Sequence, residues 1–296
     1  MVYPANGVTG FKMSGDGGQH RLIRDLSYFG VFALFCAALF VPVVRYVWVP
    51  LRLRRNFTLA ANSDIQPLDG SISLPPQVEE FFRSAEVSLK SRGFEWLGDR
   101  AQTGLTDRVA GSARMFVNRE RRCIASIAVS YLKNLEGVWQ IKHAFTVFRT
   151  DFTDGTTLAT SNSSTLQFRP PRPTWRSHRF VKIEDPAVLQ QLHEAIIERS
   201  CAGRIRDLLL DSQFKGDWLA FARYQASEEP AHLVDTGYYW LDESADVLRP
   251  TIKGAFISAW KHSWPWKQLR GRKRDRDAAR TLLELGLDKQ GQPLAP

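Results

Sequence analysis

The residue types best suited to chemistry are concentrated in one polar stretch, TDFTDGTTLATSNSS, residues 150–164. Two carboxylates, Asp151 and Asp154, and the amide of Asn162 stand there among eight hydroxyl side chains. Carboxylates, an amide and hydroxyls converging on one point would suit a sugar or a cation. A plainer account weighs more. Asp154-Gly155 is a hairpin turn signal, and serine and threonine fit a solvated strand. The three residues are weak ligand candidates, and no catalytic role is assigned to them.

Other catalytic signals are missing. HEAII (193–197) opens like a zinc-protease helix, but Ile197 stands where the second histidine is needed one turn later. His193 is therefore expected to be a partly buried helix residue. The chain has no GxxxxGK[ST] loop, no GxGxxG after a strand and no GxSxG elbow. Cys36, Cys123 and Cys201 are far apart and form no CxxC pair, which argues against a disulfide scaffold or a cysteine-rich zinc site. No cofactor and no metal are expected.

A second stretch, AFISAWKHSWPWKQLRGRKRDR (255–276), runs from aromatics into cations. On a helix Ile252, Ala255, Phe256, Ala259 and Trp260 share one face, widened by Ile257 and Trp264, with Ser258, Lys261 and His262 opposite. A wide apolar arc edged by tryptophan and followed by cations suits a helix lying in a membrane interface. The membrane-surface candidates are Trp260, Trp264, Trp266, Lys267, Arg270, Arg272, Lys273 and Arg274. The alternative packs the apolar face into the domain core and leaves the basic tail in water, and the sequence leaves both open. Nucleic acid would use the same cations, with the tryptophans for stacking. No recognised binding module accompanies them, which argues against it.

The net charge of +9 is located, not diffuse. Residues 249–276 hold +8, and Arg45, Arg52, Arg54 and Arg55 hold +4, so the rest of the chain is about −3. Those four arginines flank LSYFGVFALFCAALFVPVV (26–44), 19 residues without a charge. About 20 residues of helix cross the hydrocarbon layer, and the apolar run reaches Val49 if Arg45 snorkels. The expected anchor is thus 26–49, with Phe29, Phe32, Phe35 and Leu39 in the lipid. Tyr46 and Trp48 would lie at the interface, and Arg52, Arg54 and Arg55 beyond it. The long leader and the lack of an A-x-A exit argue against a cleaved signal. Arginine on the C-terminal flank favours a cytoplasmic body by a thin margin.

These features require a chain of five parts: a flexible tail (1–25), the anchor (26–49), a basic juxtamembrane stalk (50–74), an α+β domain (75–250) and an amphipathic, basic helical region (251–296). Helices are expected from Pro76 to before Gly93, from Asp185-Pro186 to about Arg199, and from Gly203 to Tyr224 with a break near Gly216. Another should run from Thr251 to before Pro265, and a short last one from Arg276 to Leu285. Period-two runs between Phe94 and Phe168 give antiparallel strands. With a two-residue turn at Asp154-Gly155, Phe148, Thr150 and Phe152 share a face with Thr157, Ala159 and Ser161, and the sheet is covered on one side. A short hairpin follows, turning near Ser244.

The fold class expected is α+β with one N-terminal transmembrane helix. The function expected is binding or assembly at the surface of a bacterial inner membrane. Anionic lipid, and a protein partner in the membrane, are the partners expected. The alternative is a membrane-bound enzyme with a nonstandard site near 150–163.

Overall fold

A computed structural model describes residues 30–32, 34–36, 40, 42–61, 65–68, 74–106, 109–134, 136–164, 170 and 172–294. The chain forms two compact units, Met1–Val49 and Pro50–Pro296. In the first, the described residues are helical from Gly30 and widen into a π-helical turn at Val44–Trp48, where the Val49 N–H donates to the Val44 carbonyl. Pro42 lies just upstream, and its missing N–H removes one rung of the regular ladder. Phe32, Phe35 and Trp48 are exposed and Tyr46 is half-buried. Phe29 and Leu39 lie outside the described residues, as do residues 26–28, 33, 37, 38 and 41. Among the described residues no helix is long and apolar enough to cross a membrane. The expected span over 26–49 lies in part outside the described residues.

The remaining elements, in chain order, are α1 (Val49–Asn56), β1 (Leu59–Ala60), β2 (Ile65–Pro67), α2 (Pro76–Lys90), β3 (Glu95–Thr106), β4 (Val109–Asn118), β5 (Cys123–Lys133), β6 (Trp139–Phe152), β7 (Thr157–Ser161), β8 (Trp175–Arg179), α3 (Pro186–Ser200), β9 (Arg206–Asp207), α4 (Leu209–Ser212), α5 (Trp218–Asp235), β10 (Tyr239–Asp242), β11 (Val247–Pro250), α6 (Ile252–His262) and α7 (Trp266–Glu284). The main sheet runs β2-β3-β4-β5-β6-β7-β8, with β9 also paired to β6. Its pairs are antiparallel except β7 with β8. A small sheet runs β1-β11-β10. The class is α+β.

Helix starts follow their capping chemistry. Pro76 opens α2 at its first position, and α2 buries Val78, Phe82, Ala85 and Leu89. Asp185 caps α3 by accepting from the Ala187 N–H at 2.8 Å. The helix expected over 203–224, broken near Gly216, is instead β9, α4 and α5, with the break between α4 and α5 falling at Gly216. Lys215 and Gly216 both take positive φ there, and Asp217 then caps α5 through the Leu219 and Ala220 N–H groups.

Three further expectations are corrected. The stalk is not a free linker: β1 pairs with β11, β2 pairs with β3, and Ile65 is buried. Backbone pairing at an edge needs no apolar run, so a polar segment hid it. The main sheet is covered on both faces near its centre. Phe116, Ala125, Ile127 and Phe148 pack with α2, α3 and Leu282 of α7, whereas Met115, Val117 and Ile124 pack with Leu208, Leu210, Phe221 and Ala222 around α4 and α5. The β6–β7 register is also one residue away from that of a two-residue turn. Phe148 faces Thr160 and Thr150 faces Leu158. Phe152 N–H bonds to Thr156 O across a three-residue loop that ends in Gly155 at φ 75. That extra loop residue flips every β7 side chain to the other face.

Candidate functional site

The corner between α6 and α7 is built from small residues inward and large ones outward. Thr251 caps α6, accepting from the Gly254 N–H at 3.0 Å and donating to the Gly237 carbonyl at 2.8 Å. This seats the helix hard against the end of β10. A Cβ on Gly254 would lie 1.9 Å from the Tyr238 carbonyl oxygen, so only glycine fits. Gly254, Ala255 and Ala259 are the buried residues of α6. The adjoining stripe at helical spacing, Ile252, Phe256 and Trp260, is exposed at both ends and half-buried between.

Trp260, Trp264 and Trp266 are 54%, 60% and 44% exposed, and the Trp260 and Trp266 rings lie 6.0 Å apart. Leu269 adds to the exposed apolar surface one turn into α7. Helix α7 starts at Trp266, ten residues before the expected Arg276, so the basic stretch is helical and no tail. Its lysines, arginines, glutamine and leucine are good helix formers, and Gly271 is tolerated. Lys267, Arg272, Lys273 and Arg276 are exposed. Arg270 is half-buried and donates to the Lys261 carbonyl, and burial lowers its pKa. Arg274 pairs with Asp275 at 2.7 Å and donates to the Ser164 carbonyl. The C-terminal half of α7 docks on the core through Ala278, Leu282 and Leu285. The corner is thus a rigid surface with tryptophan at the bend and cations along the next helix.

The stretch after Val49 ends beside that corner. Leu59 and Ala60 pair with Leu248 and Val247, three or four residues before the α6 cap. Arg52, Arg54 and Arg55 of α1 are exposed. Trp240 and Leu241 of β10 are exposed in the same small sheet.

The polar hairpin has the opposite character. Asp151 is only 6% exposed and receives Arg149 Nε at 2.9 Å and Thr157 Oγ1 at 2.6 Å. Asp154 sits on the exposed turn, accepting from the Thr156 N–H and hydroxyl and pairing with Arg204 at 3.2 Å. Those hydrogen bonds hold its carboxyl below the ordinary value. Asn162 accepts from the Thr146 N–H at 2.7 Å and donates to the Ile183 carbonyl at 3.1 Å. Asp151 pairs with Thr157, five residues from Asn162, which puts them roughly 16 Å apart along the ladder. The three do not converge, and each is engaged in holding the fold.

Behind the hairpin the interior carries fully partnered polar groups. Arg149 also bonds Glu228 of α5 at 2.6 Å and lies over the rings of Trp175 and Phe221. Burial works to lower the Arg149 pKa, but Asp151 and Glu228 outweigh it and hold it above the usual value. His193 is fully buried, its two ring nitrogens bonded to Thr150 and Thr160 at 3.0 and 2.9 Å. Burial, then Arg206 and His178, push its pKa down to about 3. Such an imidazole is neutral and structural. Burial pushes the Cys123 thiol up to about 12. Among the described residues no group of three or more His, Cys, Asp and Glu is placed to hold a metal ion.

Comparison with protein-family models, with curated proteins and with solved structures finds no match to this chain. Among surface residues, sequence reasoning overlooked Leu269 and Trp240. On α6 the available signal was size: Gly254, Ala255 and Ala259 admit the closest packing, and the bulky residues beside them on the same arc are left toward solvent.

Proposed function

We propose that the α6–α7 corner docks the second unit on an anionic membrane leaflet, and that the segment 26–49 tethers the chain to the same bilayer. The observation that carries this reading is the exposure of three tryptophans at the head of a helix bearing Lys267, Arg272, Lys273 and Arg276. Apolar surface gathered at one bend of a folded unit, next to cations, marks an interaction site. Covering the exposed half of each indole is worth roughly 2–3 kcal/mol. Each cation near an anionic leaflet adds about 1 kcal/mol.

The pairing of β1 with β11 supports the same reading, because β1 is the first strand after α1 and belongs to the sheet that launches α6. The exposed Val31, Phe32, Leu34, Phe35 and Phe40 side chains on the first unit's helix also suit a lipid surrounding. The role is binding or assembly at the membrane surface of a bacterial inner membrane, with the C-terminal unit on the cytoplasmic side. A protein partner in the membrane fits the same surface.

The test is flotation of the Pro50–Pro296 fragment with vesicles. It should float with vesicles containing phosphatidylserine and stay behind with pure phosphatidylcholine, and indole emission should shift to the blue on binding. Equal behaviour with both lipids would remove the electrostatic half of the proposal. The full chain should resist alkaline carbonate extraction, and release into the soluble fraction would remove the tether.

A further inference from the structure

The far end of the second unit carries a site of different chemistry. Helix α5 is 18 residues long, about 27 Å. Its C-terminal end leads into β10 and the α6–α7 corner. Its N-terminal end follows α4, whose Asp211 pairs at 2.6 Å with Arg119 in the turn between β4 and β5. Beside that turn is an open cleft of about 410 Å³, lined by Glu120, Arg121, Arg122, Glu194, Glu198 and Arg206.

Glu194, on α3, is 7% exposed. Its Oε2 accepts from Arg206 Nη2 at 2.7 Å and has Arg121 Nη1 at 3.8 Å. Its Oε1 is buried and has no hydrogen-bond partner. A buried carboxylate oxygen left without a donor is costly, and a charged donor meets it best. Around it the arginines are held in place. Arg206 Nη1 donates to the Arg121 carbonyl at 2.9 Å, and Arg122 Nη1 donates to the Arg206 carbonyl at 2.6 Å. The side chains of Arg121 and Arg122 reach solvent and retain further N–H groups, whose planar arrangement matches a carboxylate or phosphate.

We propose that this cleft binds a small zwitterion, its ammonium drawn to Glu194 and the neighbouring Glu120 and Glu198 and its carboxylate or phosphate held by Arg121 and Arg122. Charge balance decides against a simple ion. Three arginines and three glutamates line the cleft, so a ligand of one sign also meets the set of its own sign. A molecule carrying both signs answers both. The cleft lies at the opposite end of α5 from the membrane-facing corner, so its ligand comes from the aqueous phase.

The experiment is isothermal titration of the full chain in nonionic detergent. The probes are phosphoethanolamine and glycine, with inorganic phosphate and ethylamine as single-charge controls. At least one zwitterion should bind at one site, at least about tenfold more tightly than either control, a difference of about 1.4 kcal/mol. Glu194→Gln should abolish that preference. Because Glu194 also holds Arg206, Arg122→Gln at the exposed rim serves as the second variant, weakening the zwitterion with an unchanged melting temperature. Binding of neither zwitterion would overturn the site and leave Oε1 to a trapped water. Phosphate binding as tightly, with Glu194→Gln unaffected, would reduce it to surface arginines and overturn it equally.

Discussion

The β6–β7 hairpin and the α6–α7 corner exchange the places that their compositions give them. The hairpin is rich in threonine, serine and aspartate, yet β7 is buried along its whole length. The corner is rich in tryptophan, yet its three indoles stand in solvent. The difference lies in what each neighbourhood offers. The hairpin is flanked by α3 on one face and α5 on the other, and those helices carry His193 and Glu228 to partner its polar groups. Buried polar groups with complete partners are tolerated, so composition alone misplaces them. At the corner a backbone contact at Gly254 leaves room only for small side chains on the inside.

The largest expected effect breaks the interior half of this contrast. Arg149→Ala leaves Asp151 and the Arg149-bound oxygen of Glu228 without their cation, and should destabilise the second unit by about 3–5 kcal/mol. Urea denaturation reads it, and a loss under about 1 kcal/mol would mean that Asp151 is hydrated after all.

The next prediction tests the outer half. Changing Lys267, Arg272, Lys273 and Arg276 together to glutamine removes about 3–4 kcal/mol of attraction to an anionic leaflet, at least a hundredfold in vesicle affinity. Each change should leave folding stability within about 0.5 kcal/mol, since these side chains are exposed. A folding defect without a binding defect would place the cations in the fold and not on a membrane.

A smaller effect separates the neutral interior from the charged surface by pH. The His193 pKa is about 3 folded and 6.5 ordinarily, so between those values the unfolded chain binds the extra proton. The contribution is fully present above pH 6.5 and is lost at about 1.4 kcal/mol per unit as pH falls toward 3. By pH 5 the loss should amount to about 2 kcal/mol. His193→Gln should flatten that slope relative to the parent chain. An unchanged slope would show that the imidazole protonates in the folded state.

Much of the scaffold was legible because its signals are local. The proline opening α2, the Asp185 cap of α3 and the threonine before α6 each act within a few residues. What escaped was set by distant partners or by one residue of loop. The stalk reads as linker because β1 and β2 gain their structure from β11 and β3. The β7 faces were inverted because both turn types contain Asp154-Gly155, and only the loop length separates them. The weak ligand set failed for the same reason: Asp151, Asp154 and Asn162 are close in sequence, but a strand spreads neighbours along its length. Glu194, in contrast, was passed over inside a motif lacking its second histidine, because Arg121, Arg122 and Arg206 reach it from other elements.

By itself the sequence determined the α+β class, most helix starts, the antiparallel core and the confinement of positive charge to two short segments. These depend on periodicity, caps and counts, which are properties of the chain taken in order. Tertiary structure alone decided which side of each element meets the core. It turned the threonine-rich hairpin inward, left the tryptophans of α6 and α7 outward, and gathered Arg121, Arg122 and Arg206 with Glu194 along one cleft. Such choices depend on whether a close neighbour leaves room and supplies a partner, and those neighbours lie far along the chain.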